Sequence, residues 1–162
     1  MRNIAAPGSS ARRRLGMPAW LNRILRPRGA PTAAAARGAA GERLAAAHLR
    51  RRGLALVARN WRNPHDDREE LDLVCRDGDV LVFVEVKTRP DTARVRGFLA
   101  VDRRKKRVLR RAIHAYLAQL RRPPAAYRLD VVEVVTGAQQ PAQVFQFENV
   151  PLASGGWRGI LR

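Results

Sequence analysis

Apolar and polar positions alternate most regularly in the middle of the chain. Glu70-Leu71-Asp72-Leu73-Val74-Cys75 and Val80-Leu81-Val82-Phe83-Val84-Glu85-Val86-Lys87 flank an Asp77-Gly78 pair. Two apolar, β-branched runs around Asp-Gly predict a β-hairpin. Upstream, residues 41–50 are rich in helix formers, and three arginines precede Gly53, which predicts a helix with a C-terminal stop. Residues 54–59 read as a short strand and the polar residues 60–68, with Pro64, as a loop. After a loop over 90–98, Val101, Val108, Leu109, Ala112, Ile113, Tyr116, Leu117 and Leu120 recur at helical spacing. They predict a long helix over 101–122 that lays this face on a sheet and ends before Pro123-Pro124. Strands follow at 127–135 and, as a short edge, at 144–147. The order αβββαβ, with some strands apolar on both faces, predicts an α/β fold: a mixed sheet flanked by helices.

Charge divides the chain differently. No Asp or Glu precedes Glu42, so residues 1–37 form a basic, Ala-, Pro- and Gly-rich extension expected to be disordered. Trp20, Leu21, Ile24 and Leu25 could make a helical turn or two within it. A phosphate-contacting arm, an Arg-rich transit-type segment and a plain solvated extension all fit this composition. One domain is expected over 38–150, followed by a flexible tail over 151–162. Lys and Arg number 32 against 14 Asp and Glu, a net charge of +18. That balance calls for a polyanionic partner, nucleic acid first and membrane phosphate second. No apolar run approaches the roughly 18 residues of a membrane span. The single cysteine, Cys75, excludes an intrachain disulfide framework, fits a reducing cytoplasm, and reads as inert strand packing.

Candidate chemistry comes from the hairpin. With a two-residue Asp77-Gly78 loop, Arg76 faces Asp79, Val74 faces Leu81 and Asp72 faces Phe83. Glu85 is then the diagonal neighbour of Asp72, with Lys87 one step further on that face. Leu71, Leu73, Val82, Val84 and Val86 point to the other face, unless a bulge inverts the alternation. Carboxylates about 7 Å apart can share Mg²⁺ or Mn²⁺, with the Val86 carbonyl as a further ligand. Such a cation polarises a phosphate and acidifies a water, and Lys87 can orient that water or stabilise developing charge. Strand-end acids often only cap a sheet edge or pair with lysine. The complete D-x12-E-x-K spacing in so basic a chain favours the metal reading. Glu69 and Glu70 read as edge charges, although Glu70 could share the site's face.

These residues carry a family resemblance. The segment from Glu70 to Val74, then Arg76-Asp77-Gly78-Asp79 and Leu81 to Arg89, is similar to the signature of the YraN-like bacterial endonucleases. So are Gly41-Glu42, Arg59-Asn60-Trp61-Arg62 and Lys105. The resemblance spans residues 38–149 and implies a restriction-endonuclease-like fold related to archaeal Holliday-junction resolvases, with a divalent metal at Asp72, Glu85 and Lys87. It also implies Glu42 as the helix-borne glutamate beside the metal, a role that competes with simple helix-dipole compensation. The chain departs from the pattern at Glu69, where the family usually has Gly, and at Arg43, where it often has Asp. An extra acid at Glu69 is expected to weaken phosphate approach.

Around this centre, Lys105 is in phase with the sheet-facing side of the long helix. It either reaches the carboxylates or lays its stem over the helix end. Arg103, Arg104, Lys106, Arg107, Arg110 and Arg111 read as a phosphate-contacting or merely solvated surface without interleaved aromatics. Trp61 reads as a buried loop anchor ahead of a base-stacking platform. His48, His65 and His114 are scattered without zinc spacing, and Asp130 is expected to pair with an arginine. The expected activity is Mg²⁺-dependent hydrolysis of DNA phosphodiesters, including branched or structured DNA. A homodimer is expected if two strands are cut symmetrically. The rivals are a non-cleaving nucleic-acid-binding module on the same fold and a membrane-surface protein.

Overall fold

The computed structural model describes residues 32–91, 102–137 and 140–152. The expected basic extension over residues 1–31, most of the loop expected over 90–98, Val101 at the start of the long helix, and the tail from residue 153 lie outside the described residues. Thr32 caps the first helix, α1 (Ala33–Arg51), its side chain accepting from Ala35 N at 3.2 Å. The helix thus begins inside the expected N-terminal extension, because its alanines follow a side-chain cap. Gly53, at φ +88°, turns the chain out of α1, and Leu54 N donates to Leu49 O at 3.0 Å. Three strands follow: β1 (Ala55–Asn63), β2 (Asp66–Asp77) and β3 (Val80–Pro90). Residues 60–68, expected as a loop, are mostly strand: β1 and β2 meet in a hairpin that turns at Pro64-His65. Their polarity misleads because β1 is an edge strand, paired on one side only. Helix α2 (Arg103–Ala118), capped by Asp102, then leads to β4 (Ala126–Thr136) and β5 (Gln143–Phe147).

The sheet runs in chain order, β1-β2-β3-β4-β5. Only β3 and β4 pair in parallel, the connection that a crossover helix such as α2 makes. The predicted α/β architecture therefore holds, a mixed sheet with helices. The apolar residues form two clusters. Ala45, Ala46 and Leu49 of α1 pack on Leu73, Cys75, Val82, Val84, Val132 and Val134. Leu109, Ala112, Ile113 and Tyr116 of α2 pack on Trp61, Leu71, Val74, Phe83, Leu129 and Val131. Trp61 is buried, edge-on to Tyr116 with ring centroids 5.3 Å apart, so it is a core anchor. Burial pushes the Cys75 thiol up to about 11, which keeps it inert. Among the described residues no helix is long and apolar enough to cross a membrane.

The hairpin register differs from expectation. Asp77 pairs with Val80, Arg76 with Leu81 and Val74 with Phe83, so the loop is Gly78-Asp79. Gly78 has φ +55°, whereas Asp79 is not among the non-glycine residues with positive φ. A loop that needs a left-handed residue only at its first position takes Gly there, whereas Asp-Gly would need two. The shift is even, so the faces of β3 are preserved. A second departure lies in β2: Leu71 joins the α2-side cluster while Leu73 joins the α1 side. The alternation breaks around Asp72, across from Asn60, which sits between the Arg59–Leu73 and Trp61–Leu71 pairs at φ +48°. Left-handed backbone in an edge strand twists it and re-aims its neighbours.

Close approach of α1 to β3 depends on Gly41. A Cβ there would collide with Thr88 Oγ1 and come within 3.1 Å of Thr88 Cβ. Thr is stiff at χ1 and cannot swing away cheaply. Gly41→Ala gains up to about 1 kcal/mol of helix propensity but incurs about 1–3 kcal/mol of overpacking. A net loss of stability by denaturant titration is therefore expected, with Gly41→Ala/Thr88→Ser recovering part of it.

Candidate metal centre

The β2–β3 ladder ends at the Leu73–Val84 pair, and Asp72 and Glu85 are the next residue outward on each strand, two residues out of the expected register. There the backbone ladder gives way to a side chain: Asp72 Oδ2 accepts the Val86 N–H at 2.7 Å. Glu85 is only 1 % exposed. Lys87 Nζ lies 2.8 Å from Glu85 Oε1, and Lys105 Nζ lies 3.0 Å from Glu85 Oε2. The second approach does not have hydrogen-bond geometry, so Glu85 Oε2 is buried without a hydrogen bond. Lys105 thus reaches the carboxylates from the first turn of α2, as one of its two readings required.

Electrostatics follow from this packing. Burial, and then the Glu85 charge, raise Asp72 to about 7, while the Val86 N–H, and after it Lys105, pull the other way. Glu42 also contributes to the raise. Its own carboxyl is pushed up by burial against the opposing hydrogen bond from Asn60. Asn60 therefore both bends β1 opposite Asp72 and holds Glu42 near it. Asp72, Glu85, Val86, Lys87, Lys105 and Glu42, all singled out from sequence, converge at this end of the sheet.

The basic face of α2 lies next to it. Arg103, Arg104, Arg107 and Arg110 are exposed and Lys106 is half-buried. Glu69 is not an edge charge. It is buried, with Oε1 taking Arg111 Nε at 2.6 Å and Oε2 taking Asn63 Nδ2 at 2.8 Å. This compensated acid ties α2 to the β1–β2 hairpin, and Arg111 is committed to it. Glu70 pairs with Arg62 at 2.8 Å. Asp130 pairs with Arg128 at 3.0 Å, as expected, in register with Val84 and on the opposite face of the sheet from Glu85. Sequence reading missed Glu133, a buried acid on β4 in register with Lys87 and 3.7 Å from Arg89. Its position in an otherwise apolar strand run was the available signal.

Among the described residues no three His, Cys, Asp or Glu side chains converge as a metal-binding group. What is present suits a hard cation that needs few protein ligands: two carboxylates, one with an unsatisfied buried oxygen, beside main-chain groups of β3.

The comparisons with known proteins identify the family of the chain. The model of the family described as "Uncharacterised protein family UPF0102" matches residues 41–134, which include all six residues of the centre. A UPF0102 protein of Chlorobaculum tepidum is 37 % identical over 68 % of this chain and 84 % of its own length. One from Beutenbergia cavernae is 44 % identical over 70 % of this chain and 93 % of its own. Another, from Mycolicibacterium vanbaalenii, is 43 % identical over 70 % and 91 %. The chain that brings Asp72, Glu85 and Lys87 together in this way belongs to the UPF0102, or YraN-like, family.

Proposed function

We propose that this protein is a metal-dependent endonuclease that hydrolyses phosphodiester bonds of DNA. The observation that carries the reading is the buried Glu85 Oε2, without a hydrogen bond, beside an Asp72 whose pKa is raised to about 7. Two buried carboxylates this close repel each other although two lysines reach Glu85, and Mg²⁺ or Mn²⁺ is the species that would serve both with the fewest protein ligands. Asp72 and Glu85 would hold it. The Val86 carbonyl leaves β3 on the same side as the N–H bonded to Asp72, and would add a main-chain ligand. When bound, the cation lends positive charge to a phosphate oxygen and acidifies the attacking water.

The chain's own groups do the rest. Lys87, 2.8 Å from Glu85, is placed to orient the water and to donate to the phosphate as charge develops. Lys105 approaches from α2 and can move from Glu85 to a phosphate oxygen. Glu42 stands behind Asp72 as a proton acceptor held by Asn60. The exposed arginines of α2 supply backbone contacts without base readout.

A second reading, binding without cleavage, is favoured by one observation. Both Glu85 oxygens already face lysine ammoniums, so its charge is compensated without a metal. One experiment separates the two. Linear, flapped and four-way-junction DNA would be incubated with Mg²⁺ or Mn²⁺ and wild type, Asp72→Asn or Glu85→Gln. Metal-dependent cleavage by wild type, lost in both variants while binding persists, is the expected result. Binding by all three proteins with no cleavage by any would overturn the nuclease reading in favour of the binding module.

A further inference from the structure

We propose that Arg89 forms a second phosphate site beside the metal centre, with Glu133 positioning its guanidinium; this rests on the nuclease reading above. Glu85, Lys87 and Arg89 alternate along β3 and therefore share one face, each about 7 Å beyond the last. That step is comparable to the separation of successive phosphates along one DNA strand. A strand backbone laid along the end of β3 would thus present one phosphate at Lys87 and the next at Arg89.

The ion pair of Arg89 argues for a role beyond surface charge. In the parallel β3–β4 register Arg89 stands beside Val135, whereas Glu133 stands beside Lys87. The contact from Arg89 Nε to Glu133 Oε1, at 3.7 Å, is therefore diagonal and draws the guanidinium back towards Lys87 and the centre. Glu133 is 5 % exposed, while the Arg89 side chain keeps 22 % of its surface open. The acid is thus fixed in the sheet and the base retains a side towards solvent. Thr136 Oγ1 donates to Arg89 O at 3.2 Å, and Asp91 N donates to Thr136 O at 3.1 Å, which fixes the backbone at the end of β3. The partly exposed Arg89 side chain would turn the solvent side of its planar guanidinium fork to a phosphate without giving up the Glu133 pair.

The test is binding of a short fluorescently labelled DNA duplex to the full-length protein in Ca²⁺, followed across a salt series. Loss of one phosphate contact lowers the slope of log K against log salt by about 0.9. Arg89→Gln is expected to lower the slope by that amount and weaken binding about tenfold at low salt. Arg89→Lys keeps the charge but not the fork: it should keep the wild-type slope while binding several-fold more weakly, and it remains informative if the Gln variant fails to fold. Wild-type affinity and slope in Arg89→Gln, or wild-type affinity in Arg89→Lys, would overturn the proposal even where wild type cleaves DNA. If wild type binds DNA without cleaving it and Arg89→Gln lowers the slope, the phosphate site stands and the nuclease reading falls. Failure of wild type to bind overturns both.

Discussion

Asp72→Asn is expected to make the metal-free protein more stable at about pH 8 while removing its response to divalent metal. The sign follows from linkage. Asp72 sits near its ordinary value of 3.8 in the unfolded chain and at about 7 in the fold, raised by burial and by Glu85. The folded state therefore holds a proton that the unfolded state has released across that window. Its stabilising contribution is complete below pH 4, falls as pH rises, and is lost once pH passes about 7. A shift of this size corresponds to roughly 4 kcal/mol between the limits, reduced in practice by the partial solvent access of Asp72. Asn has no charge to lose. Its carbonyl oxygen can still accept the Val86 N–H at the position Asp72 Oδ2 occupies, and its amide can donate to Glu85. In chelator, wild type should lose thermal stability between about pH 5 and pH 8, and Asp72→Asn should not, giving a gap of roughly 10 °C at the upper end. Millimolar Mn²⁺ should close that gap by stabilising wild type alone. Equal melting temperatures in chelator at pH 8 would refute the electrostatic account of the site.

Much of this centre was legible because a strand repeats every two residues. Once Asp72, Glu85 and Lys87 were assigned to a hairpin, an even register error could not move them to different faces, and the actual error was even. What was not legible depended on single backbone conformations. The Gly78 turn shifted the hairpin register by two residues, and the alternation of β2 breaks across from the left-handed Asn60. Neither leaves a mark in polarity patterns. The start of α1 was hidden for a different reason: its Ala- and Gly-containing first turns lack an apolar face, and only the Thr32 cap announces them.

Buried acids were the hardest to rank, because sequence shows an acid but not its partners. From sequence Glu69 looks like an edge charge, Glu133 does not stand out from its strand, and Asp130 is legible only as an arginine partner. Partner count now separates their roles. Glu69 has Arg111 and Asn63, whereas Glu85 has two lysines and an oxygen still lacking a hydrogen bond. An acid whose acceptors are filled holds the fold together, and one with an unfilled acceptor is available for a ligand.

Asp130 is the extreme of the first kind, and Asp130→Ala is expected to be the most destabilising of the substitutions considered. The carboxylate is fully buried. It accepts from Arg128 Nε at 3.0 Å, from Gln146 Nε2 at 2.9 Å and from Asn149 N at 3.0 Å. Those bonds join β4 to β5 and to the segment that returns Val150 to the core, where Val150 N donates to Leu129 O at 2.7 Å. Removing the acid strands a mostly buried guanidinium and two further donors. Arg128 would keep Asp77 at 2.9 Å, which offsets part of the loss. Removing one partner of a buried pair typically costs about 3–5 kcal/mol, a large share of the roughly 5–15 kcal/mol that holds a domain folded. Urea titration should show an unfolding free energy lowered by that amount, with Asp130→Asn intermediate because its amide oxygen can still accept from Asn149. The Mn²⁺-induced stabilisation should survive in any fraction that remains folded, since none of these partners belongs to the Asp72–Glu85 centre. A loss below about 1 kcal/mol, in the range of a surface ion pair, would mean that the Arg128 cluster is held by its other acids and that Asp130 is not its keystone.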